Sequence, residues 1–311
     1  MSRRAVLLLA HGTPETAEQV PEYLRKVTGG RPLPQAAIEE IQRRYALIGH
    51  SPLTEITLAQ ARMVEAELAS LGEPSPVYVG MRNWRPFIAD AIGQMRADGV
   101  DQAAVICMAP QNSRTSIGLY RRAVEAEAAG LRLDFTSGWA DQPLLIEAFA
   151  ERLRPALAKL RAETNAPVPV LFTAHSVPTR TVAAAGVNQP PDSYAEEARR
   201  TAELVAARVK EITSWRFAFQ SQGMSGGEWL GPNVEETIEQ MASEGVKALV
   251  LQPIGFLCDH VEILYDVDIH FRAYAAQRGL RLKRPDSLNN SAKLAKAVAT
   301  LAFQGLKRLH R

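Results

Sequence analysis

Residues 5–11 read AVLLLAH and residues 167–175 read PVPVLFTAH, and each run breaks into a proline turn, Gly12-Thr13-Pro14 after the first and Ser176-Val177-Pro178 after the second. A continuous apolar run of this length, closed by turn residues, suits a strand covered on both faces, as in a parallel sheet. Six further runs share the character: 77–82 (VYVGMR), 102–110 (QAAVICMAP), 132–138 (RLDFTSG), 215–222 (WRFAFQSQ), 247–256 (KALVLQPIGF) and 280–285 (LRLKRP). Between them lie segments with helical spacing at 57–71, 86–98, 114–129, 143–163, 192–212, 233–244 and 290–308. In the first of these, Leu58, Ala61, Val64, Leu68 and Leu71 form one stripe. Strand and helix alternate throughout, which predicts an α/β protein. The expected architecture is two Rossmann-like domains, residues 1–139 and 140–311, each a four-stranded parallel sheet flanked by helices. The last helix is placed to pack back on the first domain.

The two quoted runs also echo each other. Both set Ala-His-small-x-Pro at a strand's carboxyl end, where open α/β sheets place their ligands. Read as a duplication, this makes His11 and His175 face one cleft between related halves.

Composition narrows the function. The 311 residues carry 36 basic and 34 acidic side chains, a net charge of +2 without a basic block. That balance argues against nucleic-acid binding. The two cysteines, Cys107 and Cys258, sit in apolar runs and read as buried reduced thiols; no CxxC pair offers a zinc ribbon or redox site. The apolar run behind Arg3 and Arg4 ends after about six residues, short of a signal peptide, and no stretch reaches the ~18 apolar residues of a membrane span. The expectation is a soluble cytoplasmic monomer.

The stretch richest in chemistry is 255–270, GFLCDHVEILYDVDIH. It leaves a strand and enters a helical pattern in which Glu262, Asp266 and His270 fall four apart, one above another on a helix face. Carboxylates so placed repel unless water, a cation or protons in transit offset the charge. One reading is a solvated helix face. The other is a metal or proton path, since carboxylate with imidazole suits Fe²⁺ and a crowded carboxylate holds its proton more tightly. His175, on a turn at the sheet's ligand edge, is the natural base near neutral pH.

Several signatures together carry a family resemblance: GTP (12–14), RYALIGHSPL (44–53), GMRNWRPF (80–87), AHSVP (174–178), QSQGM…EWLGP (220–232) and PIGFLCDHVEILYDVD (253–268). Above all through AHSVP followed about eighty residues later by FLCDHVEILYDVD, the chain resembles the ferrochelatases over nearly its whole length. The resemblance implies two Rossmann-like domains around a porphyrin cleft and insertion of Fe²⁺, a substrate, into coproporphyrin III or protoporphyrin IX in haem biosynthesis. No cofactor is implied for turnover, and without a C-terminal cysteine cluster no iron–sulfur cluster. His175 matches the active-site histidine and Glu262 the acidic partner across the porphyrin plane; with His11 these are the candidate metal contacts. Asp266 matches the next acidic step of a relay, with His270 beyond it where some relatives have a carboxylate. Arg44, Tyr45, Ser51 and Tyr120 match porphyrin-contacting positions, and Trp84 with the two tyrosines is expected to grip the ring. Asp259 and His260 match a supporting Asp-His pair.

Departures from the pattern bear on specificity. His11 stands where relatives usually carry tyrosine or methionine. Paired with His175 it is similar to the histidine pairs of cobalt and sirohydrochlorin chelatases, so metal preference stays open. Thr28 replaces an arginine that contacts a propionate in some relatives, leaving Arg25 or Arg31 to compensate. Segment 21–38 is mixed polar, so no membrane-docking lip is expected. Two rival readings remain. A non-catalytic tetrapyrrole carrier would use the same cleft without needing the acidic ladder. A serine hydrolase would use Gly223-Met224-Ser225-Gly226-Gly227 with Asp259 and His260, but Gly231-Pro232 blocks the helix that a nucleophile elbow requires.

Overall fold

The protein is described by a computed structural model over residues 3–183, 191–223 and 227–310. Within them, β1 (Arg4–Ala10), β2 (Val77–Met81), β3 (Gln102–Cys107) and β4 (Arg132–Thr136) form one sheet in the order β2-β1-β3-β4. A second sheet holds β5 (Val170–His175), β6 (Trp215–Gln220), β7 (Ala248–Pro253) and β8 (Arg281–Lys283) in the order β6-β5-β7-β8. Every pairing is parallel. The second order repeats the first strand for strand, so the echo between the two His-bearing runs is one of topology as well as of sequence. All eight strands fall where the apolar runs predicted them.

Helices fill the crossovers: α1 (Val20–Val27), α2 (Gln35–Ile48) and α3 (Leu53–Ser70) after β1, α4 (Ile88–Ala97) after β2, α5 (Ile117–Glu127) after β3 and α6 (Pro143–Thr164) after β4. The second half adds α7 (Thr179–Val182), α8 (Tyr194–Arg208), α9 (Val234–Ser243), α10 (Val261–Leu264), α11 (Arg272–Gln277) and α12 (Ala292–Leu309). Side chains of β1 alternate between two cores, Val6 and Leu8 entering one and Leu7 and Leu9 the other. The first of those cores is shared. It joins Val6 and Leu8 to Phe149 and Leu153 of α6, Phe172 of β5 and Val298 and Ala302 of α12, so the two sheets are held by common apolar packing. The last helix docks on the first sheet: Arg308 pairs with Asp134 at 2.6 Å and Arg132 donates to the Leu309 carbonyl at 2.7 Å.

Two expectations are corrected. The buried stripe of α3 is Leu53, Thr57, Gln60, Ala61, Val64 and Leu68, whereas Leu58 and Leu71 are 37% and 47% exposed. The stripe is phased one residue away because its polar members find partners inside: Thr57 Oγ1 donates to the Leu53 carbonyl (2.7 Å) and Gln60 Nε2 to the Asn289 carbonyl (2.8 Å). Nor is the acidic ladder one α-helix. After the single turn of α10 the chain widens into a π-helical stretch, Asp266–Phe271, marked by the His270 amide reaching the Tyr265 carbonyl at 2.9 Å.

Candidate active site

In a sheet ordered 2-1-3-4, the chain leaves the central strand in opposite directions, and a crevice opens at the carboxyl ends there. Here two such crevices face each other. The cleft between them, with a cavity volume of about 320 Å³, lies in the range of small-molecule sites. His11 follows β1 and His175 ends β5, and both line it.

Local geometry makes both exposures possible. Gly12 has φ +76°, and a Cβ there would lie 2.8 Å from Met81 Cβ and the Trp84 amide nitrogen; only glycine turns the chain this tightly past His11. In the second half Gly255, after β7, would place a Cβ 3.0 Å from Ala174 Cβ. That close approach brings Phe256 to His175 and starts the loop that delivers Glu262.

On the second-half wall, His175 Nδ1 is hydrogen-bonded to the Ser176 carbonyl. A carbonyl only accepts, so Nδ1 carries a hydrogen and Nε2 is the nitrogen that faces the cleft. Glu262 Oε2 lies 3.4 Å from that nitrogen and has no hydrogen-bond partner among the described residues. Burial works against the carboxylate, but the fields of His175, His260 and His11 outweigh it and hold Glu262 below its ordinary range. Tyr194 braces the strand end by donating to the His175 carbonyl at 2.8 Å. His260 lines the same cleft with Nδ1 unpartnered, and burial lowers its proton affinity; it is part of the wall as well as support behind it. Asp259 does stand behind, held by Ser287 Oγ (2.7 Å), Asn289 Nδ2 (2.8 Å) and Arg284 (3.1 Å).

The first-half wall differs. His11 Nε2 is 3.0 Å from the Tyr23 hydroxyl, and Asn83 Nδ2 lies 3.1 and 3.3 Å from the two ring nitrogens. Burial, with the nearby Arg82 guanidinium, lowers the His11 pKa to about 4, so the ring is neutral at physiological pH. Both nitrogens are already engaged, and among the described residues no three of His, Cys, Asp or Glu converge as a metal cluster. His11, His175 and Glu262 therefore share a cleft without forming a preassembled three-ligand site.

The remaining expected residues divide. Tyr120 lines the cleft. Tyr45, Ser51 and Trp84 do not: Tyr45 is buried with Val20 and Leu24, Ser51 lies 3.4 Å from Thr13 Oγ1, and Trp84 stacks edge-on against Tyr23. They shape the wall from behind. Asp266, His270 and Arg44 line a second, neighbouring cavity with Glu40 and Glu235. Asp266 accepts from Ser221 Oγ at 2.5 Å and lies 3.6 Å from Arg44, and burial followed by the field of Glu262 raises its pKa to about 6. His270 faces Glu235 at 2.9 Å, which raises its proton affinity. The predicted ladder thus spans two neighbouring cavities, Glu262 in the first and Asp266 and His270 in the second. Thr28 is bonded to Arg31 on the surface, and neither Arg25 nor Arg31 lines the cleft. Cys107 is buried; Cys258 borders the cleft, where burial pushes its thiol up to about 12. Ser225, the nucleophile of the hydrolase reading, lies outside the described residues.

Among the lining residues that the sequence reading does not single out is Arg82, which follows β2 inside the GMRNWRPF signature; its place one residue past a strand end is the available signal.

No helix among the described residues is long and apolar enough to cross a membrane. The sequence matches the family model for ferrochelatases over residues 3–306. It is 56% identical to a ferrochelatase of Acidobacterium capsulatum, covering 99% of this chain and 96% of that one. It is 35% identical to a coproporphyrin III ferrochelatase of Mycolicibacterium vanbaalenii over 97% of this chain and 89% of the relative. Among solved structures, the sirohydrochlorin chelatase SirB of Bacillus subtilis subspecies spizizenii, in complex with cobalt, superposes with a TM-score of 0.55 at 10% identity, covering 99% and 97% of the two chains; this likeness is one of fold.

Proposed function

The chain belongs to the ferrochelatase family and is an enzyme that inserts iron into a porphyrin in haem biosynthesis, and from that premise we propose that its porphyrin is coproporphyrin III and that His175 and Glu262 carry the chemistry. The observation behind the second part is the orientation of His175: Nδ1 is tied to a carbonyl, so Nε2 faces the cleft with a carboxylate 3.4 Å away. Metallation must remove two pyrrole protons while a cation takes their place. His175 Nε2 accepts a proton from the ring, and the imidazolium so formed is stabilised by Glu262. Glu262 relays that proton outward toward Asp266 and His270 in the neighbouring cavity, which frees His175 to accept the second pyrrole proton, while metal travels the opposite way, from that cavity to the ring. His11 stands on the opposite face as a further metal contact, which requires that a ring nitrogen exchange its Tyr23 or Asn83 partner for the metal. Tyr120 packs against the ring, with Tyr45, Ser51 and Trp84 stiffening the wall that distorts it. Arg44 contacts the substrate only at the margin between the two cavities. Asp259 and His260 hold the loop that bears Glu262. No resident cofactor enters the scheme.

Coproporphyrin is favoured by the mixed polar 21–38 segment and by the naming of several relatives at 31–35% identity as coproporphyrin III ferrochelatases. The test is an anaerobic absorbance assay with Fe²⁺ and each porphyrin in turn, beside His175→Ala. Metallation of coproporphyrin III with the higher kcat/KM, lost in the variant, is the expected result. Preference for protoporphyrin IX refutes the substrate, and an active His175→Ala refutes the base. A carrier would bind the ring without metallating it.

A further inference from the structure

The cleft contains one cation that the chemistry above does not use. Arg82 is the only arginine or lysine among the described residues that line it. Its backbone is fixed, because the Arg82 amide donates to the Ala10 carbonyl at 3.1 Å and the next amide, Asn83, to the His11 carbonyl at 2.9 Å. The side chain runs over the Tyr120 ring, guanidinium carbon 5.6 Å from the centroid. Its Nε is buried without a hydrogen-bond partner, and no described carboxylate pairs with it. A guanidinium carries five donors in a fixed fork, and one left unpaired beside a buried aromatic ring costs free energy until an anion arrives. Its field reaches His11, which lines the same cleft.

Porphyrins differ in whether they can bring an anion there. Protoporphyrin IX has two propionates on adjacent pyrroles, so both can point out of the cleft while an apolar edge goes in. Coproporphyrin III has a propionate on every pyrrole, and no orientation keeps all four outside. An enzyme for the tetracarboxylate ring needs an interior cation that the dicarboxylate ring does not.

We infer that Arg82 is a specificity-determining residue that binds an inward-pointing propionate of the tetracarboxylate porphyrin. The inference deepens the substrate reading above and rests on it. In compensation for Thr28 at the rim, the anchoring charge has its place on the floor beside Tyr120. A propionate there accepts two hydrogen bonds from the fork, a geometry that lysine does not reproduce.

The experiment is metal-free fluorescence titration of the full chain and its Arg82→Met and Arg82→Lys variants with coproporphyrin III and protoporphyrin IX. In Arg82→Met the dissociation constant for coproporphyrin III rises about tenfold or more, the loss of one charge-assisted contact, while that for protoporphyrin IX changes less than about threefold; Arg82→Lys falls between. In turnover the same variant raises KM for coproporphyrin III with little change in kcat, a split that a structural defect does not give. Equal weakening for both rings, or none for either, overturns the inference. Should Arg82→Met not fold, Arg82→Lys must show the same ordering at smaller size, and its absence has the same force. The substrate reading fails separately, on a wild-type kcat/KM that favours protoporphyrin IX, whereas Arg82 is judged on the difference its removal makes between the two rings.

Discussion

Two strand ends carry the same short sequence, Ala-His followed by a proline turn, at the same station of two identically ordered sheets, yet their histidines meet opposite surroundings. His175 has Nδ1 on a carbonyl, Nε2 open to the cleft and a carboxylate 3.4 Å off. His11 has both nitrogens engaged by Tyr23 and Asn83 and a cation nearby. The backbone repeat gives each half a ligand edge. What each edge can do is set by what the following loops deliver: α10 brings Glu262 to His175, and the turn after β2 brings Arg82 and Asn83 to His11. On the function proposed above, one wall moves protons and the other holds an anionic ring.

The largest expected effect tests that division. Replacing His175 by alanine removes the open lone pair and lowers kcat by about 10³-fold, within the range for loss of a general base. His11→Ala lowers it less than about tenfold, since that imidazole is a contact and not the base. Steady-state metallation, with porphyrin affinity measured in parallel, separates the two. Equal losses would mean that the halves act as a symmetric histidine pair, and the division fails.

The halves also differ in how their charges are held. In the second, Arg284 is 9% exposed and forks onto both oxygens of Asp268 (3.0 and 2.7 Å) while touching Asp259 at 3.1 Å. One guanidinium thus staples the segment carrying Glu262 and Asp266 at both ends. Arg284→Met removes the cation shared by two partly buried carboxylates, leaving Asp268 to Arg272 and Asp259 to Ser287 and Asn289, and lowers unfolding stability by about 3 kcal/mol, at the lower end for breaking a buried pair because those partners remain. Chemical denaturation measures it. A loss under about 1 kcal/mol would show that the staple is a surface ion pair and that the acidic wall holds its shape without it.

Much of this contrast was open to the sequence, and the rest was hidden for definite reasons. The strands were legible because a strand buried on both faces must be apolar at every position, as Leu7, Leu8 and Leu9 are. His175 and Glu262 were legible because each directly follows a strand end or its loop. That Asp266 and His270 line a cavity of their own was hidden, because residue spacing does not reveal where an α-helix widens to a π-helix. Tyr45 and Trp84 were taken for ring contacts although their size suits the packing behind the wall equally well. Arg82 went unread because a lone arginine in sequence carries no sign that its partners are missing; an unpaired guanidinium is a property of the folded chain.

The smallest expected effect concerns that relocated carboxylate. Asp266 is nearly buried beside Ser221 and faces Arg44 and Glu40 from α2, Glu262 and His270 from its own segment, and Glu235 from α9 across the second cavity. Burial and the Glu262 charge raise its pKa from 3.8 to about 6. A raised carboxylate binds its proton more tightly in the folded chain than in the unfolded one, so between those values folding takes up protons and stability falls as pH rises. Below about 4 both states are protonated and the ionisation costs nothing; above about 6 the full cost is present, on the order of 3 kcal/mol at 1.36 kcal/mol per pKa unit. Asp266→Asn removes the ionisation and keeps the Ser221 contact. The variant is therefore more stable than the parent by about 1–2 kcal/mol at pH 8, with the gain shrinking through pH 6 and vanishing near pH 4. His11→Ala gives a slope of the opposite sign: with a folded pKa of about 4 against 6.5 unfolded, His11 costs stability increasingly as pH falls below about 7, so the gain on its removal grows toward low pH. Melting curves of both variants across that range decide the matter. A gain independent of pH would assign the effect to packing, and a loss at pH 8 would mean that Arg44 and Ser221 stabilise the charged form more than burial opposes it, which removes the proton store from the acidic wall.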